Sequence, residues 1–208
     1  MITDAHRAYQ VIKEKIISLE MPPGSVIQDF ALTEELGVGR TPIREALKLL
    51  EAENLIFTVP RRGIFVSHVS ITDLQQVCEI RIELEGLTAR LAAQRADDAE
   101  LSELAVICDE SRLARATSVT ERIAEDRKLH NRLAVASHNR FLEAEVQRFY
   151  DLSLRLWRLA LGRVGADAVR PGSHHEIIAA VQARDAALAE SLMGAHILEF
   201  QQRIKAAM

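Results

Sequence analysis

Four side chains in the second half of the chain have the types and spacing of a metal site. Asp126 and His130 are four residues apart, so on a helix both project from one face. His174 and His196 fall on two later helical stretches joined by a short turn near Arg184-Asp185. Facing helices in a bundle can direct one carboxylate and three imidazoles onto a single ion. That donor set suits zinc first, with nickel, manganese or iron as alternatives, and any open position would take water or a ligand. The plain alternative is that these are ordinary core or surface imidazoles, the reading given to His138 at a helix end before Asn139. Arg81 belongs to the same region. Turned inward beside an ion, it would partner an anion; turned along its own helix, it would pair with Glu85 at i,i+4. Arg132 and Arg155 are secondary anion candidates.

A second constellation lies near the other end. Arg40, Arg44 and Lys48 follow one another at four-residue spacing, along one flank of a helix whose other side carries Ile43, Ala46, Leu47 and Leu50. A helix buried on one side and basic on the other suits the major groove of DNA, where Arg pairs with guanine O6 and N7 or with phosphate. Arg61 and Arg62 sit in a turn that could reach the adjacent minor groove or backbone. Taken alone, each Arg is better read as solvated and paired with Glu34, Glu45 or Glu51. Five cations on two elements that would meet one duplex form a more specific pattern.

The elements needed to position these groups are legible. Ala8, Val11, Ile12, Ile16 and Leu19 recur at helical spacing. A short helix spans about 31–36 and a turn follows at Gly37-Val38-Gly39. A longer helix runs from about Thr41 to Glu53, with Thr41 expected as N-cap and Pro42 at the first helical position. The β-prone runs 56–59 and 64–66 flank Pro60-Arg61-Arg62-Gly63 and predict a hairpin. Helix, glycine turn, helix and hairpin make a winged helix-turn-helix. Beyond it, six helices are expected over about 71–94, 98–116, 119–137, 139–161, 172–183 and 185–205. Their short connections imply antiparallel neighbours, and the least regular stretch is 162–172. The fold class is therefore mainly α. Residues 1–69 form a winged helix-turn-helix domain, and residues 70–208 form an antiparallel all-helical bundle. The junction has no Gly or Ser enrichment, so the two are expected to be coupled, not loosely tethered.

Composition narrows the field. The chain has 208 residues, 48% hydrophobic and 27% charged, with a formal net charge of −4, ordinary values for a globular protein. Residues 1–69 balance to −1 and residues 70–208 to −3, so nucleic-acid binding would depend on a local patch, not on an overall basic field. The two Cys, Cys78 and Cys108, form no disulfide framework and lack metal-ligand spacing. No apolar run is long enough to span a membrane, and the N-terminus lacks a secretory h-region. A cytoplasmic location is expected, with no membrane partner.

The segment LTEELGVGRTPIREALKLLEAENLIFTVPRRGIFVS resembles the GntR family of bacterial transcriptional regulators, over about residues 8–68. By this resemblance Arg40, Thr41 and Arg44 contact operator DNA, Gly63 is the glycine of the wing, and Arg61 and Arg62 sit beside it. Two departures stand out: Gly39 replaces a common Ser or Thr, and Asn54 replaces a usual Gly, although Asn also tolerates the left-handed conformation. The stretches CEIRIELEGLTARLAA, DRKLHNRLAVASHN, SHHEIIAAVQARDAAL and AESLMGAHI resemble the helical C-terminal FCD domain of the FadR subfamily, over about residues 72–205. Many members hold a divalent metal with an Asp and three His. Asp126, His130, His174 and His196 match those positions. His174 fits the family spacing better than its neighbour His175, which would point about 100° away round a helix.

The resemblance implies a homodimeric repressor, responsive to a metabolite, that reads a pseudo-palindromic operator in double-stranded DNA. Its second domain would bind a divalent metal and a small carboxylate effector, with Arg81 a candidate anchor. Two alternatives differ in kind: a metalloenzyme on a helical bundle, and a regulator with a purely structural ion. Against the enzyme, His175-Glu176 is followed by Ala179 where an HExxH site needs His, no general base is evident, and the winged helix would have no role.

Overall fold

The computed structural model describes residues 3–108, 118–164 and 174–207. It divides into two compact units between Ser70 and Ile71. Among the described residues no helix is long and apolar enough to cross a membrane.

In the first unit, α1 (Asp4–Ile17) is capped by Thr3, whose hydroxyl accepts from the His6 N–H at 3.2 Å, and it buries Ala8, Ile12, Ile16 and Ile17. Helix α2 (Asp29–Leu36) stops at Gly37, which adopts φ 62°, a left-handed conformation that costs glycine little. Helix α3 (Arg40–Ala52) buries Ile43, Ala46, Leu47 and Leu50 against α1 and α2. The N-cap expected at Thr41 is wrong. The helix already includes Arg40, and Gly39 is its N-cap, with no side-chain cap bond. Gly39 is extended (φ −68°, ψ 167°), so the helix begins at the residue after it, and Pro42 is its third residue, not its first as expected.

Strands β2 (Ile56–Val59) and β3 (Gly63–Val66) form the expected hairpin, with Ile56 opposite Val66 and Val59 opposite Gly63. The Arg62 N–H donates to Val59 C=O at 3.0 Å, and Arg61 takes φ 65°. Proline first and a positive φ second is the pattern of a type II turn. A third strand, β1 (Val26–Ile27), pairs with β3 on its other edge. Two residues carry no readable alternation, so the sequence offers no sign of it. Asn54 sits at φ 61° just after α3, where the family's glycine would stand.

The second unit is helical throughout its described residues. Helix α4 (Ile71–Arg95) runs through the middle and packs on α6 (Val119–Ala136), α7 (Arg140–Val164), α8 (His175–Gln182) and α9 (Ala186–Ala207). Helix α5 (Asp98–Ile107) and α6 both open with a capping box, Asp97 with Glu100 and Ser118 with Glu121. The helix expected over 98–116 is seen to Ile107; residues 109–117 lie outside the described residues, as do residues 165–173, which take in most of the irregular stretch and the first two residues of the helix expected over 172–183. Helices α8 and α9 form a hairpin that turns at Arg184, φ 59°. His174 lies ten residues before that turn and His196 twelve after it, so an antiparallel return brings them to nearly the same height.

Candidate metal centre and nucleic-acid interface

Asp126 and His130 project from α6, His174 is the N-cap residue of α8, and His196 lies within α9. One ligand atom from each lies within 4.8 Å of all the others; Asp126, His130 and His174 are buried and His196 is partly so. His174 Nε2 is 3.1 Å from His196 Nε2 and 3.3 Å from Asp126 Oδ1. Donors at about 2.0–2.2 Å from one ion stand about 3.0–3.5 Å from each other, so these separations are those of ligands sharing an ion. His130 Nε2 adds a second argument. Among the described residues it is buried without a hydrogen-bond partner, and the Asp126 Oδ2 carboxylate oxygen is 3.8 Å away, too far for a hydrogen bond. A buried polar atom left in that state normally has a partner. A divalent ion would supply it, so the residues fit the group.

The surroundings fix the orientation of these donors. Tyr150 of α7 donates to Asp126 Oδ2 at 2.6 Å. Glu85 of α4 meets His130 at Nδ1, leaving Nε2 to the cluster. Glu85 also accepts from Arg81 Nε at 2.5 Å; Arg81 donates from its NH1 group to Ser153 Oγ at 2.7 Å and lies over the rings of Tyr150 and Phe200. Burial pushes His174 down to about 4, overriding the nearby Asp126 carboxylate. Burial and the neighbouring imidazoles push His196 well below its usual value. Both rings are therefore neutral near neutral pH, as metal ligands must be. Burial also lowers His130, but the Glu85 charge and hydrogen bond outweigh it and raise the net value. Burial and the Asp126 charge hold Tyr150 well above the usual phenol range, as a donor.

A small cavity adjoins the cluster, lined by Asp126, His130 and His196 on one side and by Arg81, Tyr150 and Trp157 among others. Its free space is close to that of a single water. Among the described residues the Trp157 Nε1–H is buried without an acceptor. The structure brings Arg81 to this cavity and also pairs it with Glu85, so both expectations for Arg81 describe one arrangement. The other imidazoles stand apart: His175 is exposed, and His138 is exposed beside Glu100. Arg132 pairs with Glu103, partly exposed. Arg155 is fully buried but does not line the cavity.

Sequence reasoning noticed Glu85 only as a partner for Arg81. It missed Tyr150, Ser153 and Trp157. These three recur at spacings of three and four residues on α7, a period that marks one face without saying what it faces.

In the first unit, Arg40, Thr41, Arg44 and Lys48 are all exposed on α3, opposite its buried stripe, and Arg61, Arg62 and Gly63 are exposed at the hairpin turn. Among the described residues none of these five cations sits in an ion pair. Arg40 instead lies over the ring of Phe30, 6.0 Å from its centre, and Phe30 is itself 56% exposed. The Glu51 carboxylate of α3 accepts from the Thr58 N–H at 3.0 Å, tying the helix to the hairpin. An exposed cationic helix face and a cationic turn on one small unit can neutralise phosphates and reach base edges.

Comparison with known proteins places both units. The model of bacterial regulatory proteins of the gntR family matches residues 4–66, and that of the FCD domain matches residues 76–199. The uncharacterized HTH-type transcriptional regulator YdhC of Bacillus subtilis (strain 168) is 34% identical over 146 residues, 69% of this chain and 65% of its own length. The HTH-type transcriptional repressor GlaR of Escherichia coli (strain K12) is 29% identical over 200 residues, 91% of this chain and 90% of its own. The chain spans only 50–65% of the length of the first three curated relatives. The structure of E. coli McbR/YncC superposes with a TM-score of 0.86 at 19% identity, covering 99% of each chain, which shows a shared fold. These curated relatives are transcriptional regulators, not enzymes.

Proposed function

The chain belongs to the GntR family of bacterial regulatory proteins, among those with a C-terminal FCD domain, and from that premise we propose that it is a metabolite-responsive repressor of FadR-subfamily type. Residues 1–69 act as the DNA-binding domain. Arg40, Thr41, Arg44 and Lys48 enter the major groove, and Arg61, Arg62 and Gly63 of the wing meet the adjacent backbone or minor groove. Residues 70–208 bind effector and metal and make the homodimer. Two reading heads related by twofold symmetry suit a pseudo-palindromic operator and double the contacts a single small head makes. The place of action is the cytoplasm.

The observation that carries the effector reading is the buried Asp126–His130–His174–His196 cluster beside a cavity that also holds Arg81. These four residues would hold a divalent ion, zinc first among candidates, and the bound ion would offer an open position to an anion's oxygen. With one carboxylate among four protein ligands, the centre keeps a residual positive charge. Arg81 supplies a second anchor for a small carboxylate, and the unpaired Trp157 Nε1–H a donor for another of its oxygens. The cavity is too small for such a ligand as it stands, so binding must part the helices that converge there: α4, α6, α7 and α9. Only four residues separate β3 from α4, which leaves little slack to absorb a shift before it reaches the wing. Effector binding would thus bias the spacing of the two reading heads, and with it operator affinity.

The test measures metal content and carboxylate-dependent release of the DNA upstream of the protein's own gene, in wild type and in His174→Ala and His196→Ala. Loss of metal and of release in both variants is expected. Full metal and normal release in both would show the site to be misassigned. Lost metal with normal release would make the ion structural.

A further inference from the structure

Glu85 has no role in the function proposed above, yet it lies between its two halves. Its side chain is 2% exposed. One oxygen meets His130 Nδ1, and the other accepts from Arg81 Nε at 2.5 Å. Arg81 continues to Ser153 Oγ at 2.7 Å, and that hydroxyl donates to the Tyr150 carbonyl at 2.8 Å. The Tyr150 hydroxyl then returns to Asp126 Oδ2 at 2.6 Å. A chain of buried polar contacts therefore leaves the cluster at His130, crosses α4 and α7, and re-enters it at Asp126.

Two consequences follow from the chemistry of the groups. A neutral imidazole carries one N–H, and a carboxylate can only accept at Nδ1. The proton therefore stays on Nδ1, and Nε2, the nitrogen that faces the cluster, keeps its lone pair. The same carboxylate also balances the Arg81 charge beside the cavity. Removing its charge should act in opposite directions on the two halves. His130 becomes a poorer and less well-oriented ligand, while Arg81 becomes a stronger partner for an incoming anion.

We propose that Glu85 is a positioning residue that couples the metal half of the site to its anion half, holding the His130 tautomer with one oxygen and restraining Arg81 with the other. The inference rests on the reading of this site as one for a metal and a carboxylate.

The test uses the full chain, with Glu85→Gln, which keeps the shape and removes the charge, and with the double variant Arg81→Gln, Glu85→Gln. Zinc and nickel affinities are measured by competition with a chromophoric chelator. Acetate affinity is measured by calorimetry on the zinc-loaded protein. The His130 tautomer is read by nitrogen NMR on metal-free protein at alkaline pH, where the ring is neutral. In wild type, His130 is expected as the Nδ1–H form. Glu85→Gln is expected to lower zinc and nickel affinity on the order of 10-fold and to raise acetate affinity several-fold. The double variant should keep the metal loss and lose the acetate gain. It leaves no uncompensated buried charge, so it carries the metal measurement if the single variant does not fold. Unchanged metal affinity, an acetate affinity that falls together with it in Glu85→Gln, or an Nε2–H tautomer in wild type would each overturn the inference. A wild-type protein that takes up neither zinc nor nickel would refute the metal reading instead, and the tautomer would still decide the role of Glu85.

Discussion

His174 should make the metal-free protein sensitive to mild acid, by an amount that can be worked out. Its side chain is 5% exposed and burial holds its pKa at about 4, whereas an imidazole in the unfolded chain titrates near ~6.5. The folded value is depressed, so the unfolded state takes up the proton first as pH falls. Stability is therefore lost below about pH 6.5, progressively until the folded ring itself titrates. Between there and about pH 5 lie about 1.5 pH units, each worth about 1.4 kcal/mol per proton, so His174 alone removes about 2 kcal/mol. For a helical unit of this size that corresponds to a fall in Tm on the order of 6 °C. His196 acts in the same direction. His130, whose value is raised, acts in the opposite one, so total pH dependence is not diagnostic. The difference between wild type and His174→Gln, which cannot take a proton, isolates the ring. Both proteins are melted in chelator at about pH 7 and about pH 5, followed by circular dichroism. The variant should lose about 2 kcal/mol less than wild type across that interval. Identical losses would refute the claim that His174 is buried as a neutral ring in the absence of metal.

Other perturbations separate the remaining roles. Arg44→Ala should weaken operator binding by about 1–3 kcal/mol if it reads a base, measured by fluorescence anisotropy; unchanged binding in a folded Arg40→Ala, Arg44→Ala double variant would sink the α3 assignment. Arg61→Gly relieves a left-handed arginine, so the first unit should lose no stability, while the salt dependence of DNA binding falls by about one unit of slope if Arg61 meets a phosphate; an unchanged slope counts against that contact. Trp157→Phe removes a buried donor that has no acceptor among the described residues, so thermal stability should hold, while affinity for a carboxylate on the zinc-loaded protein falls; an unaltered affinity would exclude Nε1 as a ligand contact. Leu50→Ala, at a fully buried position of α3, should cost about 2–5 kcal/mol and abolish DNA binding while metal content stays at the wild-type level; loss of both together would mean the two units do not fold separately.

Local rules make much of this protein legible in its sequence. Ile43, Ala46, Leu47 and Leu50 mark the buried stripe of α3 because helical period alone decides which residues share a face, and the cations opposite them are exposed for the same reason. The turn at Pro60–Gly63 follows from what proline and glycine do to φ, and Asn54 takes the left-handed conformation open to it. The pairing of Asp126 with His130 needs only four-residue spacing. Where local rules run out, packing decides. Gly39, not Thr41, caps α3, because the start of a helix depends on the backbone leading into it. Strand β1 exists only because β3 offers it an edge. Family pattern singles out His174 and His196, but the hairpin of α8 and α9 brings them level, and the spacing of their nitrogens depends on how that hairpin seats against α6. Glu85 and Tyr150 are invisible in the sequence as supports of the cluster, since each acts across an interface between helices. Periodicity shows that a residue faces inward. Which partner it meets there depends on how the packed helices are rotated and offset, and that is decided only when the whole core closes.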